Sequence, residues 1–483
     1  SEVLFPGYTF DTGWHRTPEV NPAVAADLGL GSHGLELIHP DPSLFVPLAD
    51  GGHLLLGSSA SASADSIRAF SEADARRWEE FTRFTGMVAG FLASLFSIEP
   101  PDIPVPSRSD LRVLGKLGLG LRRLGRSQME EVLRVLPMSC LELLDEWFES
   151  EPLRGALGGI SVQGGWHGPM AVGTAFNLFR RAAESGSGNP VGNVRPRGGV
   201  GRLAEALASA ARAAGAEIRT GSAVRHVLLR EGRVAGVTLA DGTEISASTV
   251  ASGVGPGVTL LGLSDPAELT PEFTRALRAV RYRGATAKVH LALGELPRFT
   301  GAPAEGPHLE GAISISPSLL YVERASDAAK YGQISQKPYL EAVIPTVSEP
   351  DHAPAGKHAM SVLVQYAPYQ LRQGAWDSVQ EDALADSVVE TLGRYAPNLP
   401  GAVENRHVLS PAGLEETWGL QEGSLFQGEM TLDQFFFARP VAGWARYRTP
   451  IDGLYLCGAG THPGGGASGT SGYLAAARIL KDL

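Results

Sequence analysis

Apolar residues recur every three or four positions through DSIRAFSEADARRWEEFTRFTGMVAGFLASLF, from Asp65 to Phe96. The Asp and Ser residues at its start suit helix caps, so the stretch predicts helix. Ahead of it, residues 1–56 break into short extended pieces at Gly, Pro and Asp. There, LELIHPDPSLFVPLADGGHLLL predicts two strands around a turn at Ala49-Asp50-Gly51-Gly52. Beyond it, LRVLGKLGLGLRRLGRSQMEEVLRVLPMSCLELLDEWF interleaves leucines with Arg112, Lys116, Arg122, Arg123 and Arg126. A helix lying on a membrane surface has this pattern, and so does one covering an internal cavity.

The pattern changes again in VRPRGGVGRLAEALASAARAAGAEIRTGSAVRHVLLREGRVAGVTLADGTEISASTVAS. A turn at Gly198, Gly199 and Gly201 opens an alanine-rich helix that stops at Gly215. AEIRTG then predicts a strand, and the remainder a meander turning at Glu231-Gly232 and Asp241-Gly242. Helix, strand, small meander and strand form a recurrent insert of nucleotide-binding sheets. From 271 to 430 the chain mixes strands (ATAKVHLALG, HAMSVLVQYAP) with one helix, DSVQEDALADSVVETLGRYAP, and tandem repeats are absent. The last signal is GLYLCGAGTHPGGGASGTSGYLAAARIL: a short apolar strand at Leu454–Cys457, seven glycines between Gly458 and Gly472, and a small-residue helix. Such a loop brings backbone close to a ligand. The helix after it offers N–H groups and a positive dipole end to a phosphate or an electron-rich ring edge.

Composition narrows the chemistry. At 483 residues, two closely built domains are expected. A formal net charge of −11 argues against a nucleic-acid partner. Cys140 and Cys457 form no C-x-x-C pair, which excludes a dithiol motif and suits a reducing, cytoplasmic compartment. The histidines, His15, His33, His39, His226, His290 and His407 among them, lack metal-ligand spacing, so no metal is expected. GASGTSG is not a nucleophile elbow, which sets a hydrolase aside.

LYLCGAGTHPGGGASGTSG resembles the C-terminal flavin motif of the phytoene desaturase-type carotenoid and retinoid oxidoreductases. FPGYTFDTGWH is similar to that family's near-N-terminal block, RPRGGVGRLAEALASAARAAGAEIRTGSAV to its second FAD segment, and GGWHGPMAVGTAFNLF to a substrate-domain segment. The branch most resembled is that of bacterial proteins similar to pyridine nucleotide-disulfide oxidoreductase domain-containing protein 2. The resemblance implies an α/β (α+β) fold: a glutathione-reductase-like FAD-binding domain with a two-part inserted substrate domain. The FAD-binding parts would be 1–60, 191–262 and 431–483; the substrate parts would be 61–190 (helical) and 263–430 (mixed sheet). It also implies a G-x-G-x-x-G βαβ unit of roughly 30 residues for the pyrophosphate. None of residues 1–483 supplies it, and a truncated sequence is the expectation.

By the same resemblance Asp11, Thr12 and Gly13 lie close to the flavin, and Val224 meets the adenine through backbone groups. Gly458, Gly460, Thr461 and His462 line the ribityl and ring, and Thr470 and Ser471 present N–H to the N1–C2=O edge. The implied function is an FAD-dependent oxidoreductase moving hydride between an apolar small molecule and flavin. A flavin amine oxidase and a non-catalytic scaffold are the alternatives. His462 and His167 are candidates for proton exchange, each against a packing role, and peripheral membrane contact and oligomerisation stay open.

Overall fold

The computed structural model describes residues 1–14, 19–103, 105–192, 194–465 and 468–483. Hairpin β1 (Glu2–Phe5) and β2 (Tyr8–Phe10) opens the chain. β3 (Leu44–Pro47) and β4 (His53–Leu56) form the second predicted hairpin, its turn closed by the Gly52 N–H donating to Asp50. The helical stretch starts ahead of Asp65, as α1 (Ala60–Arg68) and α2 (Glu72–Phe96). Ser59 and Ser71 decide this, each hydroxyl accepting an N–H from the first turn. α3 (Arg108–Arg123) begins at a capping box of Ser107 and Asp110. α4 (Arg126–Val135), α5 (Cys140–Trp147), α6 (Glu151–Val162) and α7 (Thr174–Glu184) follow. Trp78, Phe81, Leu143, Leu157, Phe176 and Phe179 are fully buried among these helices. Burial stabilises by about 1.5–3 kcal/mol for each large apolar side chain.

α8 (Gly201–Ala213) ends as expected ahead of Gly215, which takes φ of +91°. The meander is β5 (Val224–Arg230), β6 (Arg233–Leu239) and β7 (Glu244–Ser246), turning at the predicted dipeptides. Residues 216–221 are a correction: AEIRTG is no strand, exposed along its length and paired with no strand among the described residues. Backbone N–H and C=O groups need partners to make a ladder, and alternation alone supplies none. β8 (Val250–Ser252) runs parallel to a later strand.

β9 (Thr286–Leu293), β10 (Ala312–Ile315), α9 (Leu319–Lys330), β11 (Tyr339–Val343), β12 (His358–Gln365), α10 (Ser378–Gly393) and β13 (Val403–Leu409) come next. The strands form one sheet in the order β13-β9-β12-β11-β10-β3-β4. The early hairpin thus joins the sheet of the 263–430 stretch, with β3 parallel to β10. β14 (Leu454–Leu456), the parallel partner of β8, leads through the glycine loop into α11 (Thr470–Asp482).

Alternation gives the large sheet two buried faces. Phe45, Val289, Leu291, Leu340 and Val362 pack with Leu384, Val388 and Leu392 of α10. On the other face Leu44, Val46, Ala312 and Val343 join the helical core. Further along that face stand Lys288, His290, Tyr339, Glu341, Ser361 and Gln365, all buried. α6 lies close against this sheet because it carries glycines there. A Cβ on Gly155 would stand 2.2 Å from the Ser316 carbonyl oxygen, and one on Gly159 2.9 Å from the Tyr339 ring.

Candidate functional site

The glycine loop folds around its neighbours rather than hanging free. A Cβ on Gly458 would stand 2.2 Å from the Gly253 carbonyl oxygen, one on Gly460 2.3 Å from Pro256, and one on Gly465 2.2 Å from the Phe426 ring. The Gln427 side chain stitches the loop down, accepting the Gly460 N–H at 3.1 Å while donating to the Gly253 carbonyl at 3.3 Å. Thr461 is buried, its hydroxyl donating to the Gly458 carbonyl at 2.8 Å. Arg439 braces the far side. Fully buried, it donates to the carbonyls of Phe426 (2.7 Å), Ala459 (2.8 Å) and Glu429 (3.0 Å), and burial draws its pKa down to about 10.

No side chain among the described residues caps α11, whose N-cap is Gly469 in the left-handed region at φ of +77°. Thr470 is buried and its hydroxyl receives Asn21 Nδ2 at 3.1 Å, while Ser471 is half-buried beside it. A cleft of about 240 Å³ opens at this helix start, walled by Asn21, Ala93, Phe96, Pro463, Gly465 and Thr470. Whole drug-sized ligands take pockets of roughly 300–1,000 Å³, so the cleft suits one ring system and not an entire dinucleotide.

The Asp11 block reaches the same place. The Asp11 carboxylate accepts the Val200 N–H at 3.0 Å and the Ser1 hydroxyl at 2.5 Å, which ties it to the turn that opens α8. Thr12 is buried, and a Cβ on Gly13 would meet nothing within 4 Å among the described residues. Trp14 then packs on Phe426 at 5.8 Å between ring centres, and Phe426 is the ring that Gly465 accommodates. Trp14 and Gly465 therefore converge on one aromatic. Val224 stands apart, 39% exposed at the start of β5.

The two histidines occupy different settings. His462 is completely buried, its Nε2–H donating to the Leu95 carbonyl at 3.0 Å, with the Phe436 and Phe435 rings at 5.2 and 6.0 Å. Burial drives its pKa down to about 3. A neutral imidazole bonded to the end of α2 anchors the loop, which favours the packing role over proton exchange. His167 is half-exposed in a separate cluster, 3.3 Å from Arg283, whose guanidinium also binds Glu429 and lies over Trp166. Among the described residues it makes no hydrogen bond to the glycine loop. His15 lies outside the described residues. Among the described residues no group of three or more His, Cys, Asp or Glu is placed to hold a metal ion.

A polar floor was missed by sequence reasoning. Gln163 donates to the Glu341 carboxylate and to the Tyr339 hydroxyl at 3.2 Å. Gln365 accepts the Gly164 N–H at 2.9 Å and donates to the Gly165 carbonyl at 2.5 Å. Lys288 is buried on the same face, and burial drops its ammonium pKa to about 7 against the opposing pull of the Asp11 and Glu341 charges. The signal was available: Lys288 and His290, Tyr339 and Glu341, Ser361 and Gln365 stand at even spacings within otherwise apolar strands.

A family profile described as flavin containing amine oxidoreductase matches residues 2–480. The chain belongs to this family. Pyridine nucleotide-disulfide oxidoreductase domain-containing protein 2 of Rattus norvegicus is 34% identical to it over 508 aligned residues, covering 100% of this chain and 87% of the relative. One of the subunits of a limonene dehydrogenase from Castellaniella defragrans is 24% identical, with 95% and 83% covered. A neurosporene-forming phytoene desaturase of Rhodobacter capsulatus is 27% identical over 283 residues, 57% of this chain and 51% of that one. An oxidoreductase from Methanosarcina mazei shares the fold, with a TM-score of 0.58 at 15% identity over 98% of this chain and 90% of that one. As a member of the flavin containing amine oxidoreductase family, the chain is an FAD-dependent oxidoreductase of mixed α/β fold. The uncapped start of α11, the glycine cradle and the open side of Gly13 fit the flavin end of FAD.

Proposed function

We propose that this enzyme exchanges hydride with a carbon of an apolar, isoprenoid-like substrate. The observation that carries this is the lining along α2. On one side Ala93 and Phe96 wall the cleft at α11; on the other Gly86, Met87, Gly90, Phe91 and Ile98 line a second cleft of about 470 Å³ under α3. Two similar proteins are named for terpenoids, limonene and phytoene. FAD, when bound, supplies the hydride acceptor or donor. The chain supplies the rest. The N-terminus of α11 and its cradle, through Gly458, Gly460, Thr470 and Ser471, favour negative charge at the ring edge. Asp11, Thr12 and Gly13 would hold the flavin from the N-terminal block, Val224 would meet the adenine through its backbone, and the Lys288 ammonium, its pKa lowered by burial to about 7, could hold or release a proton.

The same reading gives the pyrophosphate to a G-x-G-x-x-G βαβ unit that residues 1–483 do not contain. In support, β8 and β14 form a two-stranded parallel sheet with Ala251 exposed, whereas parallel sheets are otherwise covered on both faces. Amine oxidation is the second reading, favoured by the polar floor of Lys288, Glu341, Tyr339 and Gln163, which suits a charged nitrogen better than a hydrocarbon.

The test uses FAD-loaded protein expressed from the complete reading frame, mixed without oxygen with limonene, phytoene or putrescine. A terpenoid is expected to bleach the oxidised flavin band, or an unsaturated one to restore the band of reduced protein. Bleaching by putrescine alone, with peroxide released on admitting air, would overturn the terpenoid reading in favour of the second.

A further inference from the structure

α3 has the wrong surface for a helix that faces only water. Arg108, Arg112, Lys116, Arg122 and Arg123 are all exposed, and among the described residues none has an ion-pair partner, in a chain of net charge −11. Its one carboxylate, Asp110, is buried and bonded to Arg446. At 3.6 residues per turn, Arg108, Arg112, Leu119 and Arg123 fall along one strip of the helix. Leu119 is 49% exposed there, and Leu111 is 57% exposed beside it. Val105, 77% exposed, precedes the helix, and Ile103 and Phe437 share a small cleft with Arg446 near its start. The inner side of α3 is looser than a packed helix pair, since Leu117, Gly120 and Leu124 roof the 470 Å³ cleft against α2. No helix among the described residues is long and apolar enough to cross a membrane.

We propose that α3 seats the protein on an anionic lipid surface, its cations against the headgroups and Leu111 and Leu119 between them. Charge complementarity selects this partner: an acidic protein is repelled by such a surface everywhere except at a segment that gathers unpaired cations. Seated there, the cleft beneath α3 opens where a lipid-dissolved molecule would arrive. That route rests on the terpenoid reading; the seating itself does not.

Sedimentation with vesicles tests it, using the FAD-loaded protein and no substrate, so a failed substrate assay leaves the outcome intact. Binding is expected to vesicles of equal phosphatidylglycerol and phosphatidylcholine and not to phosphatidylcholine alone, and to weaken as salt rises. The double variant Arg122→Glu, Arg123→Glu should lose about tenfold or more in vesicle affinity while keeping its flavin absorbance and melting temperature. Leu111→Ser with Leu119→Ser should weaken binding with its salt dependence retained. Equal binding of wild type and the charge-reversed variant would overturn the proposal. So would a wild type that ignores anionic vesicles, or one retained by an oligonucleotide in their place.

Discussion

On the face of the seven-stranded sheet turned to α10, Phe45, Val289, Leu340 and Val362 interlock in an apolar core. On the opposite face, one residue along the same strands, Lys288, Glu341, Tyr339 and Gln365 are just as deeply buried. The first face stabilises the fold by removing apolar surface from water, at about 25 cal/mol per Å². The second opposes it, because a buried ammonium and carboxylate lose hydration that their mutual attraction recovers only in part. Loop 163–165 limits the loss by bonding Glu341, Tyr339 and Gln365. In the proposed function this arrangement beside Asp11, where apolar residues would pack as well, serves the chemistry.

The largest expected effect comes from Lys288. Its folded pKa of about 7 lies below the unfolded value near 10.5, so the unfolded chain holds more protons between those limits. Stability should therefore rise with pH through that window, and the burial penalty, on the order of 5 kcal/mol, is complete below pH 7. Lys288→Met should unfold later than wild type at pH 6, by an advantage that shrinks by roughly 3 kcal/mol at pH 9. Urea unfolding at the two pH values checks this, and an advantage independent of pH would mean that Lys288 is not titrating in the fold.

His167 marks the small end of the scale. Half-exposed beside Arg283, it resembles a surface side chain more than a member of either face. His167→Gln should change turnover by no more than about twofold and stability by about 0.5 kcal/mol. A hundredfold loss of turnover with unchanged melting would move the reactive centre to the Trp166-His167 loop.

The glycine loop and the meander were legible because their signals are local: turns at Glu231-Gly232 and Asp241-Gly242, and glycines where the chain passes close against its neighbours. His462 was legible as a loop residue but not in its role, since its bond to Leu95 spans 367 positions of sequence. The polar floor was hidden for the same reason. Lys288, Glu341 and Gln163 come from three distant segments: the register of β9, β12 and β11 brings the first two to one face, and the loop after α6 lays Gln163 against it. Ala216–Gly221 failed in the opposite sense: its local pattern favoured a strand, and the partner that decides the matter is absent from the described residues.

FAD titration of protein from the complete reading frame, followed by quenching of flavin fluorescence, tests the assignment of the site most directly. Wild type should take up FAD in a saturable one-to-one manner. Gly458→Ala, whose new Cβ would press on the Gly253 carbonyl from 2.2 Å, should bind about tenfold or more weakly at an otherwise folded circular dichroism. A wild type that stays colourless, or a Gly458→Ala protein that binds FAD as tightly as wild type, would contradict a flavin site built on this loop.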